Sequence, residues 1–243
     1  MLTLGVDTSA ATVSAALAED GALLGESFAR GKQKHSEVLL PMIDALLRHC
    51  GLEINQVGRF AVTRGPGSFT GVRIGVAAVK GLAQANDKLC AGISTLEAMA
   101  AQAAFLGGVL CCAMDARRGQ AYAALFEAGR GRPKRLSEDE ALPIEELERR
   151  LLALDRPVTF LGDGAALCCE AMRKRPGWRI APEHLRFQRA YGAVLAAGEG
   201  DYRPAGELRA LYLRPSQAER ELKLNSQRGL LCEEATYNCF KII

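Results

Sequence analysis

Histidine is scarce in this chain, with three among 243 residues, and tryptophan scarcer still, with one. His35, His49 and His184 cannot pair four residues apart on a helix, which excludes the usual helical metal motif. His35 keeps two readings, a contact or capping residue at a helix start, or a purely structural one. The eight cysteines, at 50, 90, 111, 112, 168, 169, 232 and 239, contain no CxxC, so neither a zinc knuckle nor a dithiol redox motif is written here. Most read as small buried hydrophobes kept reduced. No window approaches the ~18 apolar residues of a membrane span, and Met1 to Asp7 has neither a basic n-region nor a cleavage site, so the expectation is a cytoplasmic protein without membrane contact. A net charge of +3, from 31 basic and 28 acidic residues, is too balanced for a chain that grips nucleic acid alone, and any RNA contact should be weak or shared. Asp7, Ser9 and Ser68 lack a paired base that would make a nucleophile of either serine.

What is present is a glycine-rich stretch, Thr63 to Gly75, set between a short apolar run and a long one. Gly65, Gly67, Gly71 and Gly75 match neither the P-loop, which ends in Gly-Lys-Ser/Thr, nor GxGxxG, because the second gap is one residue too long. Two readings stand: free backbone N–H groups at a helix start that hold an anion, or a tight strand-to-helix connection without a ligand. Around it, the turn residues predict strands over Leu2 to Val6, Thr12 to Ala18 and Ala22 to Ala29 as a meander. A helix from a Ser36 cap through Arg48 should close at Gly51, with Pro41 kinking it or marking a late start. Arg59 to Thr63 and Ala91 to Ser94 read as strands, and Val72 to Ala85 and Leu96 to Ala104 as helices.

After Gly107-Gly108 the pattern restarts. Val109 to Met114 is apolar and ends in Asp115, and Gln120 to Glu127 returns as a strand, echoing the run into Asp7 and its successor. That echo predicts a duplicated fold with a site between the halves. Helices over Ile144 to Leu154, Ala165 to Arg173 and Phe187 to Gly198, with a strand at Val158 to Leu161, complete the second half. The basic segment Arg130 to Arg135 and the run Arg173-Lys174-Arg175 lack interleaved aromatics and read as solvated loops.

Two helices of the first half carry more apolar surface than one sheet can cover. In the first, Glu37, Pro41, Asp44 and Arg48 form a narrow polar stripe, leaving roughly 220° of mostly apolar surface that includes Val38, Leu39, Met42, Ile43, Ala45 and Leu46. In the second, Arg73, Lys80 and Gln84 form the stripe, and Val72, Gly75, Val76, Ala78, Val79 and Leu82 lie outside it. A helix-mediated protein interface is the expected use of the surplus; cover by another part of the chain is the alternative.

In order along the chain, Gly5-Val6-Asp7-Thr8-Ser9, Lys34-His35-Ser36-Glu37, Gly65-Pro66-Gly67-Ser68-Phe69-Thr70-Gly71-Val72-Arg73-Ile74-Gly75, Ser94-Thr95-Leu96-Glu97, Met114-Asp115-Ala116-Arg117-Arg118-Gly119-Gln120 and Tyr212-Leu213-Arg214-Pro215 resemble the bacterial TsaB (YeaZ) family over residues 1 to about 220. The resemblance implies an α/β, duplicated two-lobe fold like that of actin, sugar kinases and heat-shock ATPases, with mixed sheets flanked by helices. It divides the chain into a first lobe over 1–107, a second over 108–223 whose last helix can return to the first, and a tail over 224–243 beyond the match. It also implies a part in forming threonylcarbamoyladenosine beside the tRNA anticodon, as the noncatalytic partner of the transferase TsaD, with the ATPase TsaE joining them. The expected partners are TsaD, TsaE and a second copy of the chain, with tRNA met only through the complex.

In TsaD-like proteins two histidines four apart supply metal ligands; here the aligned positions hold Thr95 and Met99, poor ligands for a hard divalent metal. No catalytic residue, metal or intrinsic cofactor is therefore expected, with ATP or ADP reserved for a shared complex interface. Asp7 and Asp115 either orient a nucleotide's magnesium and phosphates or cap turns inherited from an ancestor. Thr8, Ser9, Gly67, Ser68, Arg73, Arg117 and Arg118 are the accompanying candidates for phosphate contact. The competing reading is an autonomous ATPase or small-molecule kinase working between Asp7 and Asp115.

Overall fold

A computed structural model describes residues 1–31, 33–129, 131–172 and 175–214. The segments 224–243 and Arg173-Lys174 therefore lie outside the described residues. The chain opens with the meander β1 (Leu2–Asp7), β2 (Thr12–Glu19) and β3 (Ala22–Arg30). β1 is buried at every position because helices pack on the sheet it shares, so each of its faces takes apolar side chains. There follow α1 (His35–His49), β4 (Arg59–Gly65), α2 (Phe69–Ala85), β5 (Leu89–Ser94) and α3 (Thr95–Gln102). The second half runs β6 (Gly108–Asp115), β7 (Gln120–Ala128), β8 (Lys134–Arg135), β9 (Glu140–Pro143), α4 (Ile144–Leu154), β10 (Val158–Leu161), α5 (Ala165–Ala171), β11 (Trp178–Ile180), α6 (Glu183–Arg186), α7 (Ala190–Ala196) and β12 (Tyr202–Pro204).

The first sheet has the order β12-β5-β4-β1-β2-β3 and the second β11-β10-β6-β7-β8, with β9 also pairing with β7. In each sheet the second strand of the half is antiparallel to the first, and the next two are parallel to it. The repeated run into an aspartate is thus a repeated strand order, with Asp7 ending β1 and Asp115 ending β6. The chain then turns back: α7 packs on β1, β2 and β4, and β12 pairs with β5, so the last described elements lie on the first sheet.

Local differences from expectation have physical causes. Ser36 does not cap α1; the helix starts two residues earlier, with Lys34 at the cap position and its carbonyl accepting from Glu37 and Val38. Pro41 sits inside that helix, and Gly51, at φ +67°, ends it with Leu52 N donating to the Leu47 carbonyl. α2 begins at Phe69 rather than Val72 because the Ser68 hydroxyl accepts from Gly71 N at 3.3 Å. His184 lies in the short α6, not in a loop. The basic segment is not simply solvated. Arg135 lies 4.7 Å above the Phe126 ring and pairs with Glu97 and Asp139, while Arg132 pairs with Glu97 at 2.8 Å, which ties the second half's hairpin to α3.

Candidate functional site

Gly65, Gly67, Gly71 and Gly75 of the glycine loop are all engaged by the protein itself. A Cβ at Gly67 would strike the Ser9 carbonyl, one at Gly71 the Thr8 carbonyl, one at Gly75 the Thr8 hydroxyl and one at Gly65 the Leu211 carbonyl. The loop is held there by Ser68 N donating to Ser9 O at 2.7 Å, Thr8 Oγ1 donating to Gly71 O at 2.8 Å and Leu211 N donating to Arg64 O at 2.7 Å. Of the two sequence readings, this geometry is the tight connection: the loop's close approach is to the turn after β1 and to the segment near Leu211.

Asp7, Thr8 and Ser9 are fully buried. Ser9 donates to the Asp7 carboxylate through its N–H at 3.1 Å and through its hydroxyl at 3.1 and 3.2 Å, which is a turn-capping arrangement. Burial pushes the Asp7 carboxyl up to about 6, against the hydrogen bonds that favour its ionised form. His35 reaches the same turn, with a hydrogen bond to the Thr8 backbone, and burial lowers its pKa. Arg73 does not join them. It is exposed on α2, its Nε donates to the Tyr212 hydroxyl at 2.9 Å, and its guanidinium lies 3.9 Å above the Phe69 ring.

At the matching turn of the second half, Asp115 Oδ1 accepts from Arg117 N at 2.7 Å and Oδ2 lies 3.5 Å from Arg117 Nη1. Arg117, Arg118 and Gly119 all have left-handed backbones, at φ +65°, +58° and +69°, and both arginine side chains face solvent. Asp163, two residues past β10, raises the Asp7 pKa, and its own carboxyl is raised first by desolvation and also by Asp115. Asp163 keeps an exposed edge, yet the surrounding protein still withdraws water from its carboxyl. The cavity beside it measures about 150 Å³, below the ~300–1,000 Å³ of ordinary small-molecule pockets.

Thr95 and Met99, at 0% and 1% exposure, are core residues; Met99 packs with Leu96, Leu110 and Phe126 between α3 and the second sheet. A hard divalent metal does not fit that apolar setting. Among the described residues, no group of three or more His, Cys, Asp or Glu side chains could hold a metal ion.

The helical surplus is smaller than the sequence suggests. Leu39, Ile43 and Leu46 on α1, and Val72, Gly75, Val76 and Val79 on α2, are buried against their own sheet and each other, so they cannot meet a partner directly. What remains half-buried is a neighbouring stripe on each helix: Val38, Met42 and Ala45 at i, i+4, i+7, and Ile74, Ala78 and Leu82 at i, i+4, i+8. Leu40 is exposed at 52%. The 3.6-residue period separates the two stripes only once the sheet's direction is known.

Two sheets of one strand order, each opening on a strand that ends in aspartate, make a duplicated α/β fold with mixed sheets flanked by helices. The family model described as TsaD, tRNA N6-adenosine threonylcarbamoyltransferase, matches residues 24–196. The tRNA threonylcarbamoyladenosine biosynthesis protein TsaB of Bacillus subtilis is 34% identical over 167 residues, covering 69% of this chain and 73% of that protein. TsaB of Escherichia coli is also 34% identical, over 68% of this chain and 72% of that protein. The solved structure of YeaZ from Pseudomonas aeruginosa superposes with a TM-score of 0.73 at 26% identity, over 87% of this chain and 99% of that one. The chain belongs to the TsaB (YeaZ) family, whose members take part in tRNA threonylcarbamoyladenosine biosynthesis. No helix among the described residues is long and apolar enough to cross a membrane.

Proposed function

We propose that this chain is a noncatalytic partner subunit for threonylcarbamoyl modification of the tRNA adenosine beside the anticodon. It binds the catalytic paralogue TsaD through the half-buried stripes of α1 and α2, and in the absence of TsaD it pairs with a second copy of itself. In the complex it helps recruit TsaE, with ATP or ADP at a shared interface and tRNA met only there. The observation that carries this reading is the pair of adjacent apolar stripes, Val38–Met42–Ala45 and Ile74–Ala78–Leu82, left partly open after each helix has filled its own core. Core side chains at Thr95 and Met99 support a role without its own metal chemistry, and the small crevice weighs against an autonomous ATPase.

The test is copurification with TsaD. Met42→Asp and Ala78→Glu each place a charge on a half-buried position that packs on the rim of the core, and each should weaken capture of TsaD by at least about tenfold, with tRNA modification falling in parallel. Retained capture and modification in both variants, with native melting curves, would remove the interface from these helices.

A further inference from the structure

The crevice between the lobes sorts its polar groups by charge. Arg30, at the end of β3, and Arg186, at the end of α6, flank the Phe187 ring at 4.3 and 4.9 Å from its centroid. Both reach the same Glu183 Oε1, at 3.2 and 3.9 Å. Two guanidiniums thus share one carboxylate, and Arg186 Nε is buried without a hydrogen-bond partner. Asp163 and Gln188 also line the cavity, as does Thr12, whose hydroxyl donates to the Gln188 carbonyl at 3.4 Å. Gln188 is 1% exposed; its Nε2 donates to Asp163 Oδ1 at 3.0 Å, and its Oε1 is buried and unpartnered. That oxygen and Arg186 Nε are sealed within the protein rather than open to the cavity, so Gln188 acts there by holding Asp163 in place.

We propose that this crevice binds a small zwitterion of the α-amino acid type, with its carboxylate on Arg30 and Arg186 and its ammonium on Asp163. A bare anion would meet Asp163, and a bare cation would meet the two guanidiniums; a molecule carrying both charges on adjacent carbons satisfies both sets. Ala10, Ala11, Ala166, Gly162 and Thr12 complete the lining, and a volume of about 150 Å³ admits a short side chain and excludes a nucleotide. The sequence gives little sign of this site, because Arg30, Asp163 and the pair Arg186 and Gln188 stand on three separate segments. It is independent of the partner-subunit reading.

The full chain, labelled with ¹⁵N, is titrated with glycine, alanine, serine and threonine, and in parallel with acetate and methylamine. The amino acids should give saturable amide shifts around residues 162–166 and 186–188 with dissociation constants on the order of millimolar, and acetate and methylamine should bind at least about tenfold more weakly. Asp163→Asn should remove the advantage of glycine over acetate, and Arg186→Met should weaken glycine by about tenfold, both with native amide dispersion and unchanged melting. Absence of a saturable shift would mean that water alone fills the cavity. Acetate binding as well as glycine would mean a simple anion site. Glycine binding unchanged in both variants would move the ligand elsewhere. Each of these three results overturns the proposal.

Discussion

The turn after β1 and the turn after β6 occupy equivalent places in two halves of one strand order, yet they live in opposite environments. Asp7, Thr8 and Ser9 are sealed beneath the glycine loop, with Ser9 bound to the Asp7 carboxylate and the loop's glycines against their backbone. Asp115 to Gly119 stands open, with two arginines in left-handed backbone and a carboxylate that only steadies the turn. Duplication supplied the same aspartate twice, and packing decided what each became. The first turn is now a joint of the core that orients α2, and hence the stripe Ile74–Ala78–Leu82; the second keeps the charge and exposure that a partner could read.

The contrast is most sharply broken at the glycines. Gly71→Ala forces a methyl onto the Thr8 carbonyl, backbone against backbone, and should cost more than about 3 kcal/mol. Gly119→Ala meets nothing within 4 Å and carries only the left-handed penalty of its φ of +69°, about 1–2 kcal/mol. Urea unfolding of the two variants measures the difference, and equal costs would show the first turn to be no more a packing joint than the second.

The next effect in size is the charge of Asp7. Its folded pKa, about 6, stands above the ordinary carboxylate value, so the group favours the folded state fully below the unfolded pKa and loses that contribution as pH rises through about 6. Asp7→Asn removes the ionisable group. Its stability relative to the parent should therefore improve by about 2–3 kcal/mol between pH 4 and pH 8, read from urea midpoints at the two pH values. A difference that does not change with pH would mean that Asp7 is ionised in the fold without penalty, like an exposed carboxylate.

These two turns also show what the sequence could and could not disclose. The meander, the Asp-ended strands and the duplication were legible because period-two apolar runs and turn residues are local signals. The strands β8, β9, β11 and β12, of two to four residues, were not, since they are too short to show alternation and exist only through their neighbours. The glycine loop announced itself, but its purpose was hidden, because the atoms it avoids, at Thr8, Ser9 and Leu211, lie far away in the chain. In the helices, apolar content was visible and direction was not, so Leu39, Ile43, Leu46, Val72, Val76 and Val79 looked available while the core had already taken them.

The smallest effect separates the turns by sign. Arg118 pays a left-handed penalty at φ +58°, so Arg118→Gly relieves strain of about 1–2 kcal/mol while adding freedom to the unfolded chain, for a net gain of roughly 0.5–1 kcal/mol. A comparable substitution beside the first turn, at the exposed Ala11 just before β2, where φ is not positive, relieves nothing; Ala11→Gly should lose about 0.5–1 kcal/mol. Thermal melts of the two variants should therefore move in opposite directions. If Arg118→Gly also lowers the melting temperature, the side chain stabilises the turn in its left-handed form, and the exposure of Arg118 is held for the fold rather than kept for a partner.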